Sequence, residues 1–340
     1  MRRSTSVASV LSLLAAPALA APGNIVTDIA ATGSLVQQVL GDLGEVRVLL
    51  PEGASAHHYQ MRPSDAQALQ SADLLVWVGP ELTPWLARAA GNLNREAHQL
   101  QLLEVEGTYL QDYAPAGGHD RAHDDHAHDD HGHDDHAHDD HAHDHDHDHD
   151  HDHAHDHDDH DHDHSHEGTD PHAWLDPQNA QVWLTAIAGM LSEQDPENAA
   201  AYAANAEAAA ASIASVEAEI RAELEPHSAA SFVVFHDAYG YFTNRFGLSP
   251  AIPIALGDAS TPSAARIDAI RTEIVNSGAV CAFPEYAHDE ALIRTAIEGT
   301  EVRLGEVIDP EGSLQEEGAG QYEAMLRGMG RSIATCLSGE

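Results

Sequence analysis

The chain has 340 residues, 57 of them acidic against 15 basic, and a formal net charge of −42 with histidine counted as neutral. A charge of that sign and size excludes nucleic acid and anionic lipid surfaces as partners and favours cations. The length exceeds the ~100 to 200 residues usual for one domain, so two domains are expected.

The chain opens with Met1-Arg2-Arg3, an apolar run from Val7 to Leu14, and the small-residue triplet Ala18-Leu19-Ala20. This is the pattern of a secretory signal peptide, here residues 1–20, cleaved near Ala20. The run is too short to span a bilayer, and no later segment offers the ~20 uninterrupted apolar residues of a membrane helix. The mature chain is thus expected to be exported to the periplasm, with no membrane span and as a monomer.

Next, strand-like runs alternate with helix-like ones. Residues 24–30, 45–50, 74–79 and 99–105 read as strands, and 33–40, 63–71 and 84–92 as helices. Such alternation implies a mostly parallel sheet covered by helices, in an N-terminal α/β lobe over residues 21–175. His57 lies in Pro51-Glu52-Gly53-Ala54-Ser55-Ala56-His57-His58-Tyr59, beyond the carboxyl end of the second strand. In open α/β sheets that is where ligands bind. Its neighbour His58 is the residue with which it could be exchanged.

From His119 to His166 the sequence is almost only His, Asp and Ala, with 21 of the 28 histidines and 19 aspartates. Nothing there can build a core, so residues 117–168 are expected to form a disordered loop. Histidines such as His126, His128, His131, His133, His136, His138, His141, His143, His145 and His147 recur at spacings of two or three. Imidazole suits Zn, Cu, Ni and Co. Many such residues in a flexible chain would gather around an ion in many equivalent ways, as an accessory, unselective collector. Neutral imidazole is the ligand form, so its binding should weaken as pH falls through about 6.5.

After the tract, His172 sits in Asp170-Pro171-His172-Ala173-Trp174-Leu175-Asp176-Pro177, between two prolines that stiffen the chain. Helices follow over residues 178–192 and 197–225, the second roughly 40 Å long at 1.5 Å per residue. Residues 176–226 therefore read as rigid connecting helices. A C-terminal α/β lobe, residues 227–340, has strands at 231–235, 251–256, 279–283 and 302–307 and a last helix at 321–337. His236 directly follows the apolar run Phe232-Val233-Val234-Phe235, again at a strand's carboxyl end.

Three imidazoles from separate segments, His57, His172 and His236, match a tetrahedral zinc site with one position left for water or a carboxylate. His98 and His227 fall at element boundaries and His288 opens a helix, so all three read as structural, and Trp77, Trp85 and Trp174 as packing residues. Cys281 and Cys336 are the only cysteines. In an exported chain they are expected to pair, the alternative being two buried free thiols.

These strings resemble the zinc-uptake receptors of bacterial ABC importers, the ZnuA-type members of the cluster A-I metal receptors. The resemblance rests on Gly53 to Asp65, Pro171 to Pro177 and Phe235 to Phe242, with the His-rich insertion just before the second of these and the late cysteine pair. It implies two α/β lobes of parallel sheet flanked by helices, joined by a long rigid helix, with Zn²⁺ in the cleft as transported ligand. By motif the ligands are His57, His172 and His236. Some relatives carry Glu where this chain has Ala56. Manganese-type relatives use a carboxylate in the segment matching Glu306 to Pro310, which makes Asp309 a candidate fourth ligand, with water as the alternative. The implied partners are a membrane permease and other periplasmic zinc carriers.

A manganese or iron receptor of the same fold is the alternative within the class, and three nitrogen ligands favour zinc over it. A zinc hydrolase is a second reading, but no HExxH arrangement places a general base beside the ligands. A zinc buffer, in which the tract does the binding, is a third.

Overall fold

The computed structural model describes residues 23–91, 98–113, 168–255 and 262–339. The expected signal segment and the histidines of the tract lie outside these residues.

The first half runs β1 (Ile25–Thr27), α1 (Ala30–Leu40), β2 (Val46–Val48), α2 (Pro63–Gln70), β3 (Leu74–Trp77), α3 (Pro84–Ala90) and β4 (His98–Gln101). All pairings are parallel, in the order β2-β1-β3-β4. Two long helices follow, α4 (Pro177–Gln194) and α5 (Ala199–Leu224). The second half runs β5 (Phe232–His236), α6 (Gly240–Phe246), β6 (Ile252–Ala255), α7 (Ala264–Ser277), β7 (Cys281–Ala282), α8 (Glu290–Ile297), β8 (Arg303–Leu304) and α9 (Gln321–Ser338). Its sheet, β6-β5-β7-β8, is again parallel and repeats the order of the first.

Local chemistry sets the helix starts. Proline opens α2, α3 and α4, where its missing N–H costs nothing and its fixed φ suits a first turn. The Asp176 carboxylate caps α4 by accepting from the Gln178 N–H at 2.8 Å. Ser263 and Asp289 cap α7 and α8 in the same way.

Parallel sheets bury both faces, and three apolar clusters do so here. One packs α2 and α3 on the outer face of the first sheet, around Leu75, Trp77 and Leu86. Another packs α7 and α8 on the second, around Val233, Ile254 and Ile270. The largest is continuous between the sheets and runs through α1, α4, α5 and α9. The buried residues of α5, from Tyr202 through Ile213 to Leu224, recur every three or four positions. The helix expected as a connector is thus a packed wall of the shared core. Gly330 of α9 lets that helix approach Ile220 closely, since a Cβ there would meet its side chain at 2.8 Å.

Cys281 in β7 and Cys336 in α9 form a disulfide that ties the second sheet to the last helix. Among the described residues, no helix is long and apolar enough to cross a membrane.

Candidate metal centre

His236 is the last residue of β5, and the neighbouring strand β7 pairs with β5 in the register Val233↔Ala282. Continuing that register by three residues sets Glu285 opposite His236. Glu285 Oε2 lies 2.6 Å from His236 Nδ1, and its Oε1 accepts from the Tyr239 hydroxyl at 2.8 Å. The strand order reverses between β5 and β7, so this pair stands at the topological switch point, outside the carboxyl ends of the strands.

His172 is held by a different device. The chain on either side of the tract is joined by hydrogen bonds from Asp170 N to Gln111 O and from Tyr113 N to Gly168 O. Asp170 then places Oδ1 2.7 Å from His172 Nδ1 and accepts from the His172 backbone N–H, while Gln111 donates to its Oδ2. Gly240 lies close beside them, and a Cβ there would displace the Gln111 amide from its bond to Asp170. Trp174, next along, donates from Nε1 to Pro310 O, and Tyr322 donates to Trp174 O.

His57 rides on the loop after β2. Trp85 Nε1 donates to the preceding carbonyl, Ala56 O, at 2.7 Å. Tyr59 packs edge-on against Trp85 and donates to Asp65 Oδ2, and Asp65 also accepts the Arg62 N–H at the start of α2. Contacts cross from this loop to the second half of the chain, among them Ala56 N to Glu311 and Tyr286 OH to Glu52.

These three supports bring the imidazoles together. His57 Nε2 and His172 Nε2 are 3.3 Å apart, and the ring centroids of His172 and His236 are 5.3 Å apart. One ligand atom from each of the three lies within 4.8 Å of the others. Two nitrogens at 2.0–2.1 Å from one tetrahedral zinc would be about 3.3–3.4 Å apart, so the separation fits an ion held between them. A plain hydrogen bond between two imidazoles spans the same distance. It would explain neither the third ring nor the carboxylates on two of the Nδ1 atoms, which fix the tautomer and leave Nε2 to bind, as at many metal histidines. His172 and His236 are only 3% and 6% exposed.

Of the other sequence candidates, His58 is exposed and outside the group that contains His57. Asp309 is buried and faces the cavity that adjoins His236, but its carboxylate accepts the backbone N–H groups of Gly312 and Leu314. Burial raises its pKa against these bonds. It is not in a shared ligand group with the three histidines among the described residues. Asp237, beside His236, is also raised, first by burial and then by the Asp170 carboxylate.

Sequence reading missed Asp170, Glu285 and His288 as members of the site. Asp170 was detectable two residues from His172. Glu285 follows a strand end as His236 does, but only the ladder register pairs them. His288, read as the start of a helix, instead sits ahead of the Asp289 cap and lines the cavity at His236.

Over residues 25–336 the chain matches the family described as "Zinc-uptake complex component A periplasmic". It is 55% identical over 334 residues to the high-affinity zinc uptake system protein ZnuA of Paracoccus denitrificans, covering 98% of each chain. With the protein of the same name from Brucella suis it shares 39% over 314 residues, 92% of this chain and 91% of that one. The backbone also superposes on a Mn-bound periplasmic metal binding protein from Candidatus Liberibacter asiaticus with a TM-score of 0.69, over 93% of this chain and 99% of that one. At 18% identity that likeness speaks for the two-lobed α/β fold alone. The chain belongs to the ZnuA family of periplasmic zinc-uptake components.

Proposed function

We propose that the chain is a periplasmic receptor that captures Zn²⁺ between its two sheets and delivers it to the membrane permease of an ABC importer. Its cargo ligands are His57, His172 and His236, each supplying Nε2. The fourth position of a tetrahedral shell falls to Asp309, across the same cavity, or to a water. The observation that carries the reading is the convergence of three imidazoles from three segments, with buried Asp170 and Glu285 on the far nitrogens of two of them. Nitrogen donors suit zinc better than manganese or iron, which take more oxygen. Membership of a zinc-uptake family supports the same cargo, and supports capture over hydrolysis.

The His/Asp tract serves as an accessory collector of lower affinity, and the signal segment accounts for export. Each half of the reading makes a different demand on a variant lacking residues 120–165. If the three histidines are the receptor site, one tight zinc site survives that deletion and is lost on the further change His172→Ala. If the tract does the binding, the deletion alone abolishes nearly all of it. Equilibrium titration with a competing chelator reads the outcome.

A further inference from the structure

A second group of metal-ligating side chains adjoins the first. His236, Glu285 and His288 each offer a ligand atom within 4.8 Å of the others. They line a cavity of about 210 Å³ together with Asp309 and Glu311, which leaves room for an ion that still carries water. Carboxylates on several sides make that space attractive to a divalent cation.

The backbone is shaped to present His288 there. Ala287, just before it, has φ of 67°, and it is the one non-glycine among the described residues with positive φ. Such a conformation costs of order 1–3 kcal/mol and persists where the surroundings impose it, commonly at functional sites. The turn is closed by His288 N donating to Glu285 O, and Tyr286 N donates to Ile308 O. The His288 ring stacks on Phe235 at 4.1 Å between centroids, a contact made by a ring face and not by its nitrogens. Packing alone would explain the stack, but it would not explain a strained turn that sets the imidazole beside a buried carboxylate and a second imidazole, 5.9 Å away between centroids.

We propose that His236, Glu285 and His288 form a second, outer zinc position that alternates with the three-histidine centre. The inference rests on the receptor reading for the inner position. His236 belongs to both groups, and its Nδ1 is held by Glu285 at 2.6 Å, so Nε2 is the nitrogen it gives to either ion. One nitrogen lone pair binds one ion, and the two positions therefore exclude each other. Glu285 can ligate while holding that bond, since an ionised carboxylate offers about four acceptor sites. Zinc entering through the cavity meets His288 and Glu285 first and passes inward when His57 and His172 replace them on the ion. Release runs the same exchange in reverse, with no change in oxidation state.

The test is zinc-edge anomalous diffraction from crystals of the full chain soaked with zinc. The intact chain should show one ion among these residues, at His57, His172 and His236. His57→Ala leaves two nitrogens at the inner position, and the peak should move to lie between His236, Glu285 and His288. The double variant His57→Ala/His172→Ala should give the same shift, and adding His288→Ala should remove the peak. Absence of an inner peak in the intact chain would overturn the receptor site itself. With that peak present, a failure of the ion to move outward, persistence of the outer peak without His288, or two ions at once would overturn the alternating outer position alone.

Discussion

Asp170 Oδ1 lies 2.7 Å from His172 Nδ1, with both side chains almost wholly buried. The carboxylate holds the ring in one orientation and in the tautomer that leaves Nε2 for the ion. Asp170→Asn keeps the shape and removes the charge. It should weaken zinc binding about 10- to 100-fold, the usual cost of losing a partner of a metal histidine. Chelator competition reads the change; an unaltered affinity would show that Asp170 serves only the turn.

The Cys281–Cys336 bond closes a stretch with a sequence separation of 55. Constraining the unfolded chain over such a length is worth about 4 kcal/mol in the chain-entropy account. Cys281→Ser/Cys336→Ser should therefore lower the denaturant midpoint by an amount equivalent to that energy. The disulfide reaches the metal centre only through β7 and α9, so zinc affinity at low denaturant should change little.

Asp28 follows β1 at the switch point of the first sheet, fully buried, and accepts the N–H groups of Ile29 and Val78. Burial raises its pKa from 3.8 to about 6 despite those bonds. A carboxyl with a raised folded-state pKa holds its proton more tightly in the folded chain, so its contribution to stability is lost as pH rises from about 4 to about 6. The loss is about 3 kcal/mol for a shift near two units. Unfolding free energies of the native chain should fall across that window relative to those of Asp28→Asn and run parallel above it. Parallel curves throughout would contradict the assignment.

Element order was legible because most strands hold a short apolar run and α2, α3, α4, α7 and α8 carry Pro, Ser or Asp starts. Strand ends were less so. The run at 279–283 reads as five residues of strand, yet β7 is only Cys281–Ala282; at its far end Pro284 has no N–H to continue the ladder. The same strand hid Glu285. The ladder offset that pairs it with His236 is a property of the folded sheet, and no local pattern carries it. His57, His172 and His236 stood out by their place after strands or between prolines, and the structure brings these three together. The preference for His57 over His58 rests on the motif resemblance, and the loop held by Trp85 and Tyr59 sets His57 beside the other two imidazoles. The rigid connector expected over 197–225 has its long form, but α1, α4 and α9 pack against it, a tertiary outcome that an Ala-rich sequence does not announce.

A nitrogen-rich site of three imidazoles should select zinc without help from the tract. Its most direct test is competition titration of Zn²⁺ and Mn²⁺ into the chain lacking residues 120–165. Three imidazoles predict one site that binds zinc far more tightly than manganese. Manganese bound as tightly as zinc at that site would rule out selection by the three imidazoles.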